Sequence, residues 1–455
     1  MDIDAIIVGL YLAATLIVGI WSGRKIDTFR GYAINDRNTS TLALCMTIIA
    51  TYIGGGATIG MAEKAFSSGI VFPVVYILGS LELLFVGLYI APRMEEYFDR
   101  ASTPGSLAGL FWGHSGEFTV GVVGLFYSLG QTAAQISAMG LIFHELMGIS
   151  FEFGTCIGFG ILVMYSTFGG IHAVVSTDAI QFAIIAAFIS LITYFAVEHV
   201  GGLGTVLTSV PADHLTLAPI REHPMRYIPL IIFILDPAWI QRLLMGKNIR
   251  QLRISFCLSS LIAPLIFWCS AIVGFSALIM NPDISPYSAM PHVIQTLVPI
   301  GLKGLMIAGL LAVIMSSADS YLNVSGIIAV GDLVRAYCGN LTERQMIRYS
   351  QYATLIFGVL ALFVALRFKS IIDILLYADG FWCGTVLVPL SARLLGYKSS
   401  KYAFSRAAVM GGLVVIGWIV FDLEQRWGIY GLFPGVIVNA LMFFGINIYS
   451  KRCGI

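Results

Sequence analysis

Two polar interruptions in an otherwise apolar chain hold the residues that could do chemistry. The first is I-I-A-T-Y-I-G-G-G-A-T-I-G at residues 48–60, where Gly54, Gly55 and Gly56 follow one another among Thr51, Tyr52 and Thr58. Each glycine costs a helix interior about 1 kcal/mol, so three together can unwind a helix and release its carbonyls and amides to a ligand. Small residues also let membrane helices pack closely, and the glycines alone do not separate the two uses. The second is A-V-I-M-S-S-A-D-S-Y-L-N at 312–323. At helical spacing Val313, Ser317 and Ser320 fall near one line, and Ser316, Asp319 and Ser320 near the adjoining one. Hydroxyl, carbonyl and carboxylate oxygens suit a hard cation, and no imidazole or thiolate stands beside them to suit a transition metal.

Four further acids lie in apolar sequence. Asp178, near the start of a span, reads as a helix-start carboxylate stabilised by the dipole. Glu82 and Asp236 lie deeper, and Asp236 precedes Pro237, which predicts a kinked helix with the acid on a cavity. Asp379, next to Gly380, falls at mid-depth. An intramembrane acid is costly and functional by default. Few basic residues sit at matching depth, which favours a cation or an amine-bearing ligand as countercharge, although a protonated acid needs none.

The elements that must position these residues follow from composition. Of 455 residues, 58% are hydrophobic and 11% charged, with a mean hydropathy of +0.88. A soluble surface takes roughly 25% charged residues, so most of this surface faces lipid. A net charge of +1 gives no reason to invoke nucleic acid. The seven cysteines are scattered without a C-x-x-C pair, which excludes a disulfide framework and a zinc site. Thirteen stretches approach the ~20 apolar residues a spanning helix needs. They are 3–22, 41–60, 70–91, 118–147, 152–169, 174–197, 227–245, 255–280, 304–334, 349–366, 370–394, 406–421 and 429–449. The first is preceded by Asp2 and Asp4, unlike a signal peptide, and reads as a span.

Assigning loops alternately puts 19 of the 26 Lys and Arg on one side, including Arg24, Lys25 and Arg242, with Lys369 on the other. The positive-inside rule then places the N-terminus outside and the C-terminus in the cytoplasm, in a cell (inner) membrane. The largest outside loop, 198–226, is too short for a core of its own. The N-x-S/T sequences at Asn38, Asn323 and Asn340 fall in cytoplasmic loops or a span and read as chance.

The pieces R-G-Y-A-I-N-D-R at 30–37, A-T-Y-I-G-G-G-A-T-I-G-M, G-G-I-H-A-V-V-S-T-D-A-I-Q at 169–181, W-I-Q-R at 239–242 and G-L-L-A-V-I-M-S-S-A-D-S-Y-L-N resemble, in order and spacing, the sodium:solute symporter family. The resemblance runs from residue 30 to about 394 and implies an all-α integral membrane protein of about 13 transmembrane helices. Its core would be the LeuT-type 5+5 inverted repeat, 41–197 and 227–394, joined by the loop 198–226. Segments 1–40 and 395–455 would be peripheral. The implied sodium site takes the carbonyls of Ala50, Ile53 and Val313 and the hydroxyls of Ser316 and Ser317, with Val313 where a small residue is usual. A second sodium, or a proton, would sit at Asp178, Ser316, Asp319 and Ser320; Asp319 replaces a smaller polar residue there. The solute would meet Thr51, Gly54, Gly55, Gly56, Gln131, Gln135, Asp236, Trp239 and Asp379. Gln131 and Gln135 are a helical turn apart and suit either solute contacts or interhelical hydrogen bonds.

The implied activity is sodium-coupled import of a small polar solute by alternating access, with Na+ and the lipid bilayer as partners and no enzymatic step. The acids tilt the solute toward an amine, amino acid or quaternary ammonium. Proton-coupled symport on the same fold and a transporter-like membrane sensor are the alternatives. No signalling segment follows residue 449, which puts the sensor last.

Overall fold

The computed structural model describes every residue except 1–2, 24–25, 228–230, 232–233, 340, 369–370 and 454–455. Arg24, Lys25, Asn340 and Lys369, invoked above, therefore lie outside the described residues. Regular structure among the described residues is helical throughout. In chain order the helices used below are α1 (Ile3–Ser22), α2 (Thr41–Tyr52), α3 (Gly55–Ser68), α4 (Val71–Tyr97), α5 (Pro104–Trp112), α6 (His114–Met147) and α7 (Phe151–His199). They continue with α8 (Pro237–Leu244), α9 (Ile249–Met280), α10 (Leu302–Val334), α11 (Glu343–Arg367), α12 (Ile374–Leu394), α13 (Lys401–Val420) and α14 (Leu432–Cys453).

Nine helices among the described residues are long and apolar enough to cross a bilayer, and α2 with α3, bent by 48°, makes a tenth candidate. The chain is a multi-pass membrane protein. Two expected spans meet at a kink, and a third takes another form. The stretches 152–169 and 174–197 are the halves of α7, which turns at Gly170 (φ 51°, ψ −156°). A Cβ there would come within 2.6 Å of the Tyr32 ring, so glycine serves both the turn and the close approach. Asp178 lies about two turns beyond that kink, past the first turn of the second half, and is not a helix-start carboxylate. The stretch 227–245 yields the short α8, which begins at Pro237. Proline there opens a helix and does not kink one.

Helix ends are fixed by local side chains. Ser40 Oγ accepts from Ala43 N–H (3.2 Å) at the head of α2, and Asn248 Oδ1 from Gln251 N–H (2.9 Å) at the head of α9. Asp4 Oδ1 accepts from Gly301 and Gly304 N–H at 2.8 and 2.6 Å, so α1 caps the start of α10. The 30–37 motif turns through Asn35, Asp36 and Arg37, all at positive φ. Arg37 then donates to Gly246 O (2.7 Å) and Lys247 O (3.0 Å), just beyond α8. Arg30 and Arg37 converge on Asp99 at 3.0 and 3.3 Å. The Arg30 hydrogen bond, with help from the Arg37 charge, holds the Asp99 carboxyl below the usual carboxylate range.

Helix α10 is the axis of the molecule, packed by α7, α6, α1 and α11. In its apolar window 94% of residues are buried, against 22% in α1. The physical reason is its polar content: hydroxyls and a carboxylate cannot face lipid without large desolvation costs. Helices α13 and α14 pack on each other and on the middle of α12.

Candidate functional site

The break between α2 and α3 builds the site. Ile53 ends α2 with φ −97° and ψ 86°, and Gly54 enters α3 extended. Helix hydrogen bonding stops there, so the last carbonyls of α2 are available to side chains. Ser316 Oγ lies 2.9 Å from both Ala50 O and Val313 O. Ser317 Oγ lies 3.3 Å from Ala50 O and 3.1 Å from Thr51 O. Four of the five expected sodium ligands thus meet, all of them oxygens. Ile53 stands at the break itself, and the Thr51 carbonyl joins the set, which the sequence reading had not included. The glycines permit the approach: a Cβ on Gly54 would fall 3.0 Å from Ser317 Oγ and 3.1 Å from the Gln135 amide.

Below this cluster the structure departs most from expectation. Arg242, counted above as a cytoplasmic loop residue, is fully buried within α8. Its Nη2 donates to Ser320 Oγ (2.6 Å), Thr51 Oγ1 (3.0 Å) and Thr47 Oγ1 (3.2 Å) and stands 3.8 Å from Asp178 Oδ2. Nη1 donates to Gln241 Oε1 at 2.7 Å. Thr47 also donates to Asp178 Oδ2. The expectation that few cations sit at the depth of the acids is therefore corrected. The W-I-Q-R motif turns its arginine inward because Asp178 and three hydroxyls supply the partners a buried guanidinium needs. Asp319 Oδ2 accepts from Tyr165 (2.9 Å) and Thr177 (3.3 Å). Asp178 Oδ1 and Asp319 Oδ1 are buried without a hydrogen-bond partner among the described residues.

Above the break lies a cavity of about 280 Å³. Of the residues named as solute contacts, Thr51, Gly54, Gly56, Gln131, Gln135, Asp236, Trp239 and Asp379 line it. Gly55 is set back, its N–H donating to Gln135 Oε1 at 3.1 Å. Gln131 donates to Asp379 Oδ1 at 2.9 Å. Both glutamines therefore bridge helices and also face the cavity. Asp236 caps α8: Oδ1 accepts from Trp239 N–H (2.8 Å), and Oδ2 from Tyr127 (3.2 Å) and Tyr321 (3.1 Å). Glu82 lines the same space and accepts from Ile234 N–H at 3.1 Å. Sequence reasoning flagged Glu82 as a deep acid without assigning it to the site. Of the aromatic lining only Trp239 was expected; Tyr76, Tyr127, Phe267 and Tyr321 were not assigned to the site, because aromatics in spans are ordinarily lipid- or core-facing.

A broken helix set against a buried polar helix, with a cavity at the break, defines a secondary transporter of the LeuT-type fold. A Na+-coupled sialic acid symporter, solved substrate-bound and outward-open, superposes with a TM-score of 0.86 at 18% identity, covering 100% of this chain and 98% of that one. The nucleobase-cation-symport transporter MHP1 gives 0.58 at 15% identity, covering 92% and 94%. In sequence, the osmoregulated proline transporter OpuE of Bacillus subtilis is 23% identical, covering 99% of this chain and 96% of that protein. Sodium/glucose cotransporter 4 of Mus musculus is 23% identical, covering 99% and 70%. The sodium:solute symporter family matches residues 32–389, and the chain belongs to it. Its activity is sodium-coupled solute symport, a transport function and not an enzymatic one.

Proposed function

We propose that one sodium ion binds where α2 breaks against α10, and that the solute binds directly above it in the cavity. The observation that carries this is the convergence of Ala50, Thr51 and Val313 carbonyls with the Ser316 and Ser317 hydroxyls. All are hard neutral donors, the set a desolvated alkali cation takes. Ile53 completes the set at the break. Ser317 and Gly54 line the cavity as well, so the ion and the solute share a wall. Sodium occupancy then favours the form in which α2 stays against α10, and a ligand shifts that balance only by its differential affinity.

The lower set fits a second sodium poorly. Ser320 and one Asp178 oxygen already face the Arg242 guanidinium, which is always charged and repels another cation. Asp178, Asp319 and Ser320 serve in this reading as the lower lock of the closed form, with Arg242 as its fixed cation. The two five-helix halves, 41–197 and 227–394, are taken to move relative to each other. Support comes from the first helix of each half, since α3 starts after Gly54 and α8 after Asp236, both at the cavity. We place the protein in a cell (inner) membrane, N-terminus outside and C-terminus cytoplasmic, with a small polar solute as cargo. Arg242 leaves the loop tally, and the remaining basic bias still supports that orientation.

Reconstitution in proteoliposomes tests the reading. Solute uptake driven by an inward sodium gradient is expected, with Ser317→Ala raising the sodium concentration required. Equal uptake in sodium-free buffer under a pH gradient would replace sodium by the proton.

A further inference from the structure

The cavity wall says more about the solute than its polarity. Three carboxylates face it: Glu82 from α4, Asp379 from α12 and Asp236 from the N-cap of α8. Lys64 also lines it but is already engaged, 3.4 Å from Glu63 Oε1 and 5.5 Å from the centre of the Phe72 ring. Between the acids stand Tyr52, Tyr76, Tyr127, Trp239, Phe267 and Tyr321. The Tyr52 ring lies 5.5 Å from Trp239 and 5.7 Å from Phe267, so they form a continuous aromatic surface. Aromatic faces attract cations, quaternary ammonium groups above all.

A carboxylate-bearing solute would need donors, and helix N-termini are where a broken-helix transporter offers them. Two helix N-termini open on this cavity, and the protein's own side chains take one amide of each. Gly55 N–H is taken by Gln135 Oε1 at 3.1 Å. Trp239 N–H is taken by Asp236 Oδ1 at 2.8 Å, and Pro237 has no N–H to give. A solute carboxylate would thus meet three acidic side chains. A sugar would leave these carboxylates without a countercharge.

Resting on the sodium–solute site read above, we propose that the cavity takes an organic cation that lacks a carboxylate, an amine or quaternary ammonium, and discriminates against amino acids and sugars. The cation sits against the Tyr52–Trp239–Phe267 surface, with Asp379 and Glu82 as countercharges. Asp236 stays engaged as the α8 cap.

The matched pair choline and glycine betaine tests this, since they share the trimethylammonium head and differ in bearing a hydroxymethyl or a carboxylate. Purified protein in sodium buffer is titrated with choline, tetramethylammonium, glycine betaine, L-proline and D-glucose, reading binding by calorimetry. Choline or tetramethylammonium is expected to bind, and glycine betaine to bind at least about tenfold more weakly because its carboxylate is set against three acids. Asp379→Asn should weaken choline by a similar factor. Betaine, proline or glucose binding as tightly as choline overturns the inference, as does failure of both cations to bind at millimolar concentration. A sodium-only titration separates the cases. If sodium binds and neither cation does, this inference alone fails. If sodium does not bind, the underlying site reading fails first.

Discussion

Arg242 Nη2 lies 2.6 Å from Ser320 Oγ, joining the short helix α8 to the polar stretch of α10 through a fully buried guanidinium. The same nitrogen reaches Thr47 and Thr51 of α2 and faces Asp178 of α7. Four helices thus share one fixed cation directly beneath the break in α2. It supplies the countercharge that the acids there require, and it ties α8 to the helix that carries the Ser316 and Ser317 hydroxyls.

Arg242→Ala is expected to destabilise the protein by about 3–5 kcal/mol, the cost of stripping one partner from a buried ion pair. Arg242→Lys keeps the charge but not the planar fork, and should recover only part of the loss. Thermal unfolding in detergent reads both. An Arg242→Ala protein as stable as the parent would mean that Asp178 needs no countercharge.

Gly54→Ala and Gly56→Ala should separate sharply. A Cβ at 54 would press on Ser317 and Gln135, whereas at 56 the nearest atom is Leu375 Cδ1 at 3.9 Å. Gly54→Ala is expected to lose sodium response and transport together. Gly56→Ala should keep its sodium affinity, and any loss should appear in solute affinity, since that Cβ points at the cavity. Sodium titrations of both variants, with and without solute, decide the matter.

Asp4→Ala removes the acceptor for the Gly301 and Gly304 amides at the head of α10. Loss of a cap of this kind costs about 1 kcal/mol. Hydrogen exchange should quicken at the α10 head, with sodium affinity unchanged because Ser316 and Ser317 lie four turns further on. Unchanged exchange at 301–304 would show that the cap contributes nothing there.

The proposed sodium site could be read from the sequence because its signals are local. Consecutive glycines break a helix by backbone energetics, and hydroxyls clustered on one face of an apolar helix must find each other or an ion. The inward turn of Arg242 was not legible, since hydropathy assigns a basic residue next to a loop to the loop, and only tertiary placement of Asp178 and Ser320 supplies its partners. The same limit hid the start of α8: an Asp-Pro pair reads equally as a kink or as a cap with proline in the first turn. It took Trp239, Tyr127 and Tyr321 converging on Asp236 to settle it as a cap. The gap read between 152–169 and 174–197 falls at Gly170, whose positive φ kinks α7 into two helical halves.

The most direct test of the central claim is thermal stability of the purified protein titrated with sodium against potassium, in the parent and in Ser317→Ala. The account predicts a saturable, sodium-selective rise that Ser317→Ala shifts to at least about tenfold higher concentration, because one oxygen donor is lost. A sodium response unaltered in Ser317→Ala, or no selectivity over potassium, would contradict a sodium site at the α2 break.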